Sequence, residues 1–85
     1  KLFRAGDMTI ELPERADVSL RVFSVLGQEV ATLVSGSVQP GYHAFEWRAA
    51  DRTGRPLAPG VYMIRLRARG PSGTFHQERK LIVIR

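Results

Sequence analysis

Apolar and polar positions alternate along most of the chain, and turn residues cut the alternation at intervals of about 8–12 residues. No stretch of ten residues sustains the 3.6-residue apolar period of an amphipathic helix. The pattern therefore predicts strands. Met8-Thr9-Ile10-Glu11-Leu12 alternates and stops at Pro13. Val18, Leu20 and Val22 form one face of the next strand, with Ser19, Arg21 and Phe23 on the other. Leu26-Gly27-Gln28 turns the chain, Gly27 being able to take positive φ, and Glu29 to Val34 returns as the second arm of a hairpin. Ser35 to Gly41 reads as a loop of Ser, Gly and Pro.

Tyr42 to Arg48 alternates again, with His43, Phe45 and Trp47 on one side and Tyr42, Ala44 and Glu46 on the other. Asp51-Arg52-Thr53-Gly54 has the residues of a β-turn, and Pro56 and Pro59-Gly60 extend the break. Val61 to Ala68 is the clearest strand: Tyr62, Ile64, Leu66 and Ala68 point in, while Val61, Met63, Arg65 and Arg67 point out. Gly70-Pro71-Ser72-Gly73 leads into a last strand from Thr74 to Ile84, whose end, Leu81-Ile82-Val83-Ile84, is apolar on both faces. Such a run is either covered on both sides or forms an interaction surface. Six long strands, with a short seventh near Leu57, predict an all-β, immunoglobulin-like antiparallel β-sandwich of about seven strands. Its expected core holds Val18, Leu20, Val22, Phe45, Trp47, Tyr62, Ile64 and Leu66.

Eighty-five residues allow a single domain spanning 1–85. The composition, 44% hydrophobic and 25% charged, is that of a globular chain. There is no cysteine, which excludes a disulfide, a thiolate metal site and a cysteine nucleophile. No apolar run approaches the roughly 20 residues of a transmembrane helix, so no transmembrane segment is expected. The opening residues read as domain rather than as a leader, which predicts a module of a longer polypeptide.

The net charge is +5, and eleven of the thirteen basic residues are arginine. They are scattered, and only Arg65, Arg67 and Arg69 repeat at a spacing of two, on one face of a strand. That row is either a solvated face paired across strands with Glu29 or Glu78, or an anion site. No nucleic-acid partner is expected from the charge alone.

Catalytic chemistry is hard to place. His43 and His76 both lie on strands, with no Gly-x-Ser-x-Gly elbow and no phosphate-cradling glycine loop nearby. Two histidines without a short-spaced third ligand make no zinc site, and Asp51 with Gly54 lacks the further acids of a calcium loop. The chain is therefore read as a non-enzyme without cofactor or metal. Phe23, Tyr42 and one of Phe3 or Phe75 could form an aromatic platform for sugar, whereas Trp47 belongs with the core.

Three segments carry a resemblance. Leu12 to Val34, with its Leu-Pro entry, its Val18-x-Leu20-x-Val22 strand, Gly27 and Glu29-Val30-Ala31-x-Leu33, is similar to the first half of the C-terminal sorting domain of type IX (Por) secretion cargo. Gly41-x-His43-x-x-x-Trp47 and Gly60-Val61-Tyr62-x-x-Arg65-Leu66, followed by Lys80 and the apolar end, match its later strands. With Asp51 to Leu57 as a connecting loop, the same segments also resemble the immunoglobulin-like domain of flagellar hook-capping proteins. A departure is that Lys1 to Asp7 stand where sorting domains carry Pro-Asn-Pro-Phe.

The sorting resemblance implies a non-catalytic C-terminal secretion signal, recognised by the outer-membrane type IX machinery after periplasmic transit. It further implies an upstream catalytic or adhesin cargo domain, attachment to anionic surface lipopolysaccharide, and a location at the cell surface. Gly60, Val61, Tyr62, Lys80, Leu81, Ile82, Val83 and Ile84 are its expected recognition residues. Each could instead serve the fold. The alternatives are a carbohydrate-binding or spacer module of a secreted glycoside hydrolase or peptidase, and a hook-cap-like structural assembly domain.

Overall fold

The computed structural model describes residues 8–45, 47 and 49–84, without the side chains of Met8 and Phe45. The expectations placed on Phe3, Arg48 and the Phe45 ring lie outside the described residues. Six strands run in chain order: β1 Met8–Leu12, β2 Ala16–Ser24, β3 Glu29–Val38, β4 Gly41–Phe45, β5 Gly60–Gly70 and β6 Gly73–Val83. They form two antiparallel sheets, one of four strands in the order β3-β2-β5-β6 and one of two, β1-β4.

The period-two pattern sets which side of each strand is covered. On β2, Ala16, Val18, Leu20 and Val22 are buried, and Val22 is fully so. Cross-strand pairing with β5 puts Leu20 opposite Leu66, Val22 opposite Ile64 and Val18 opposite Ala68. Ile10 and Leu12 of β1 close over this layer from the small sheet, and Leu81 and Val83 of β6 join the same core. Burial of these aliphatic side chains is the main favourable term for the fold. The expected core residues Val18, Leu20, Val22 and Ile64 are buried, while Tyr62, Leu66 and Trp47 are half-buried and pack against them.

Three expectations change. The segment Ser35–Val38, read as loop, continues β3 and pairs with Ala16–Ser19 of β2. Ladder hydrogen bonds need only backbone, so Ser35, Gly36 and Ser37, all exposed, extend the strand with no apolar alternation to announce it. The expected seventh strand near Leu57 is a single bridge between Ala50 and Pro56. It is tied by a hydrogen bond from the Leu57 amide to the Ala49 carbonyl at 2.8 Å. The Leu57 side chain is buried there and joins the core cluster. Finally, β4 stops at Phe45, so Trp47 leaves the strand; its Nε1 donates to the Ala50 carbonyl at 3.3 Å rather than filling the centre of the core.

Two polar devices hold the connections. Asp51 Oδ1 accepts from the Thr53 amide at 2.9 Å, the Thr53 hydroxyl at 2.7 Å and the Arg55 amide at 3.1 Å, and the Gly54 amide closes the turn onto the Asp51 carbonyl at 3.0 Å. Glu14, between β1 and β2, accepts from the Ser72 amide at 2.8 Å and from its hydroxyl at 2.7 Å. That clamp fastens the β1–β2 connection to the β5–β6 turn.

Candidate docking surface

The register of β5 and β6 sorts seven of the eight expected recognition residues by side, and Ile84 lies just past β6. Val61 faces Ile82, Met63 faces Lys80, Tyr62 faces Leu81 and Gly60 faces Val83 across the hairpin. Partners directly opposite share a face, and β5 turns Ile64 and Ala68 inward. Tyr62, Leu81 and Val83 therefore point into the sandwich, while Val61, Lys80 and Ile82 lie on the outer face. Leu81 is 0% exposed and Val83 is buried, which corrects the expectation for both: they are core, out of reach of a partner. Tyr62 is half-buried and its hydroxyl donates to the Ala58 carbonyl at 2.7 Å. Gly60 has φ +148°, where L side chains are strained, and a Cβ there would meet open space; its glycine serves the backbone.

What remains outside is an apolar end to the outer face. Val61 and Met63 are exposed, Ile82 half-exposed, and Ile84, just past β6, is 82% exposed. The β2–β3 turn adds Val25 and Leu26, the latter 84% exposed. The turn is an ordered one: Ser24 Oγ accepts from the Leu26 and Gln28 amides, both at 3.3 Å, and the Gly27 amide donates to the Ser24 carbonyl at 2.9 Å. Val25, Val61 and Met63 line one shallow depression of about 290 Å³ with Phe23 and Arg65. Val25, Leu26 and Met63 were not among the expected recognition residues, although Met63 was read as outward-facing and Leu26 as part of the turn. The signal lay in two large aliphatic residues at a tight turn, where Asn, Asp or Ser would be ordinary.

Charges flank this end. Arg65 stacks over Phe23 at 4.5 Å and its Nε donates to Glu78 at 2.5 Å, as expected of a paired face. Glu29, the other expected partner, instead joins Arg21 at 3.2 Å and Arg52 at 2.8 Å, and accepts from the Thr32 hydroxyl at 2.8 Å. The aromatic residues considered for sugar lie on separate surfaces: Tyr42 is exposed on β4 of the small sheet, and Phe23 sits under Arg65 on the outer face. Phe75, opposite Ala68, lies on the inner side of β6, 55% exposed beside a cleft lined by Leu12, Pro13 and Leu66. Among the described residues no group of three or more His, Asp or Glu could hold a metal ion, and no helix is long and apolar enough to cross a membrane.

Three carboxyl groups are held below their usual range. The Ser72 amide, then its hydroxyl, does so for Glu14; the Thr32 hydroxyl, then Arg21 and Arg52, for Glu29; and the Thr53 hydroxyl, with the Thr53 and Arg55 amides, for Asp51. A depressed folded-state value means that the stability these groups contribute is complete above their ordinary values, 4.5 for the glutamates and 3.8 for Asp51. It is lost as pH falls through the lower folded values. The urea midpoint should stay level down to about pH 5 and then decline. Glu14→Gln should shallow that decline, and an identical acid limb in the variant would refute the assignment to Glu14.

Comparison with known proteins places this geometry. The profile of the FlgD Ig-like domain family matches residues 3–72. Among solved structures, the chain is similar to FlgD from P. aeruginosa, with TM-score 0.68 and 22% identity, over 91% of this chain and 60% of that one. It is also similar to CopC from Methylosinus trichosporium OB3b, with TM-score 0.58 and 14% identity, over 98% of this chain and 81% of that one. At these identities the two structures speak for the all-β, immunoglobulin-like fold alone. No curated protein matches the chain. Of the two resemblances read from the sequence, the hook-capping one is the one these matches bear out. The chain belongs to the FlgD Ig-like domain family.

Proposed function

We propose that this domain is a non-catalytic structural module that joins its parent protein into a larger assembly, in the manner of a hook-cap domain. The carrying observation is the apolar end of the outer face, where Val25, Val61 and Met63 share one depression, Ile82 and Lys80 lie opposite Val61 and Met63, and Leu26 is exposed in the adjoining turn. Clustered large aliphatic side chains at one end of a small β-sandwich are costly in water unless another protein covers them. Family membership favours assembly over secretion as the role of that surface. In the parent protein, Leu26→Asp with Val61→Asp should shift sedimentation from the assembled to the unassembled species while the domain's melting temperature holds. Assembly that survives the double substitution would refute the reading.

A second reading, the type IX secretion address, is supported by the order of the Leu26-Gly27, Gly60-Val61-Tyr62 and Lys80 segments and by the outward placement of Val61, Lys80 and Ile82. It carries the outer-membrane machinery, an upstream cargo domain and surface lipopolysaccharide as partners, and the cell surface as destination. A reporter fused to residues 1–85 in a host with that machinery separates the two readings. Export that is lost on deleting Lys80 to Arg85 supports the address, and a reporter that stays periplasmic removes it.

A further inference from the structure

The outer face carries a second feature, which adjoins the apolar end through Phe23 and Arg65 but does not depend on the assembly reading. Ser19 on β2 faces Arg67 on β5, and Arg67 faces His76 on β6, so three hydrogen-bonding side chains form one row across three adjacent strands. In the neighbouring row Arg21 faces Arg65, which faces Glu78. Ser19, Arg21, Phe23, Arg65, Arg67 and His76 line an open depression of about 460 Å³. Arg65 is paired with Glu78, and Arg21 with Glu29, a carboxylate it shares with Arg52. The side chains of Ser19, Arg67 and His76 have neither an ion-pair nor a hydrogen-bond partner among the described residues. The depression thus holds one uncompensated guanidinium with a hydroxyl and an imidazole on either side of it.

We propose that this depression binds a phosphate group. Adjacent strands lie about 4.8 Å apart, so Ser19 and His76 approach from backbones roughly 10 Å apart, with the Arg67 fork between them. A carboxylate offers two oxygens in a plane and is satisfied by the fork alone. A phosphate offers further oxygens out of that plane, which the Ser19 hydroxyl and a His76 N–H can reach from the two sides. Arg21 and Arg65, held in place by their carboxylates, wall the second side of the depression, and Arg67 supplies its uncompensated charge. The Phe23 ring beneath Arg65 keeps that guanidinium from collapsing into the site. Because the face is open to solvent, binding is weak and falls with added salt.

The test is a titration of the 85-residue domain, followed by amide and side-chain chemical shifts, with inorganic phosphate and with sodium chloride at matched ionic strength. Phosphate should give saturable shifts centred on Ser19, Arg67 and His76 that chloride does not reproduce. Arg67→Gln should weaken the affinity about tenfold, the loss of one charge-assisted contact. Arg69→Gln, on the same side of β5 but outside the depression, should leave it unchanged. A second arm names the source of the phosphate. Vesicles of phosphatidylcholine with phosphatidic acid that retain the native domain and release Arg67→Gln identify a lipid headgroup, and vesicles that retain neither identify a soluble phosphate. Shifts that follow ionic strength alone, or an Arg69→Gln loss equal to that of Arg67→Gln, would overturn the proposal and leave the row a solvated face.

Discussion

Leu81→Ala should destabilise the domain by about 2–5 kcal/mol, seen as a lower urea midpoint at unchanged slope. Leu81 has no exposed surface, sits opposite Tyr62, and packs in the cluster that Val22, Ile64 and Val83 share. Truncating it removes the transfer energy of three carbon atoms and leaves a hole that rigid strands on both sides cannot close. A domain of this length commonly holds only about 4–13 kcal/mol in total, so the loss is a large share of it. Its neighbour Ile82 points outward and is half-exposed, and Ile82→Ala should cost distinctly less. Equal losses at the two positions would refute the division of this strand into a core side and a docking side. The same pair separates function from stability: the effect of Leu81→Ala on assembly should follow unfolding, whereas Ile82→Asp should impair assembly in a folded domain.

Gly70→Ala is expected to have the other large effect, and for a reason unrelated to backbone conformation. A Cβ at Gly70 would stand 2.6 Å from Glu14 Oε2 and 2.9 Å from the Arg15 carbonyl oxygen. The carboxylate could swing aside only by giving up its bonds to Ser72, and the carbonyl belongs to the backbone entering β2. Overpacking of this kind costs about 1–3 kcal/mol, to which the loss of the clamp adds. The two parts can be separated in a double-mutant cycle. With Glu14→Ala already in place, Gly70→Ala should cost less than it does alone, because only the Arg15 contact remains. Strict additivity would show that the close approach at Gly70 is not made through Glu14.

How far the sequence could be read depended on whether side chains or backbone carried the information. β2 and β5 were legible because Val18, Leu20, Val22 and Ile64, Ala68 alternate with polar residues, and a one-residue slip would turn every one of them to water. The second half of β3 was not, since Ser35, Gly36 and Ser37 contribute ladder bonds and no apolar surface. Leu81 to Ile84 showed that one side must be covered but not which, because four consecutive aliphatic residues have no phase; only the pairing of Tyr62 with Leu81 supplies it. Trp47 was assigned to the core on size and spacing, but β4 ends two residues before it. The Glu14–Ser72 clamp joins positions 58 apart and could not be found in any local window. The Asp51 turn, all of whose partners lie within four residues, was read correctly.

The central position of β2 in the large sheet sets the order in which the chain can fold. On one side β2 pairs with β3 through a four-residue turn, and β5 pairs with β6 through a turn of only two residues, Pro71 and Ser72. Both hairpins can close within microseconds, independently of each other. Joining them requires Leu20 to meet Leu66 across the intervening chain, with β4 carried over to the other sheet on the way. The entropy of closing that long excursion must be spent before any of its contacts form. The zipping of β2 onto β5 is therefore the expected slow step, with the highest φ-values at Leu20, Val22, Ile64 and Leu66. The two ends of the large sheet, where the exposed apolar end and the Gly70 turn lie, are expected to be completed after it.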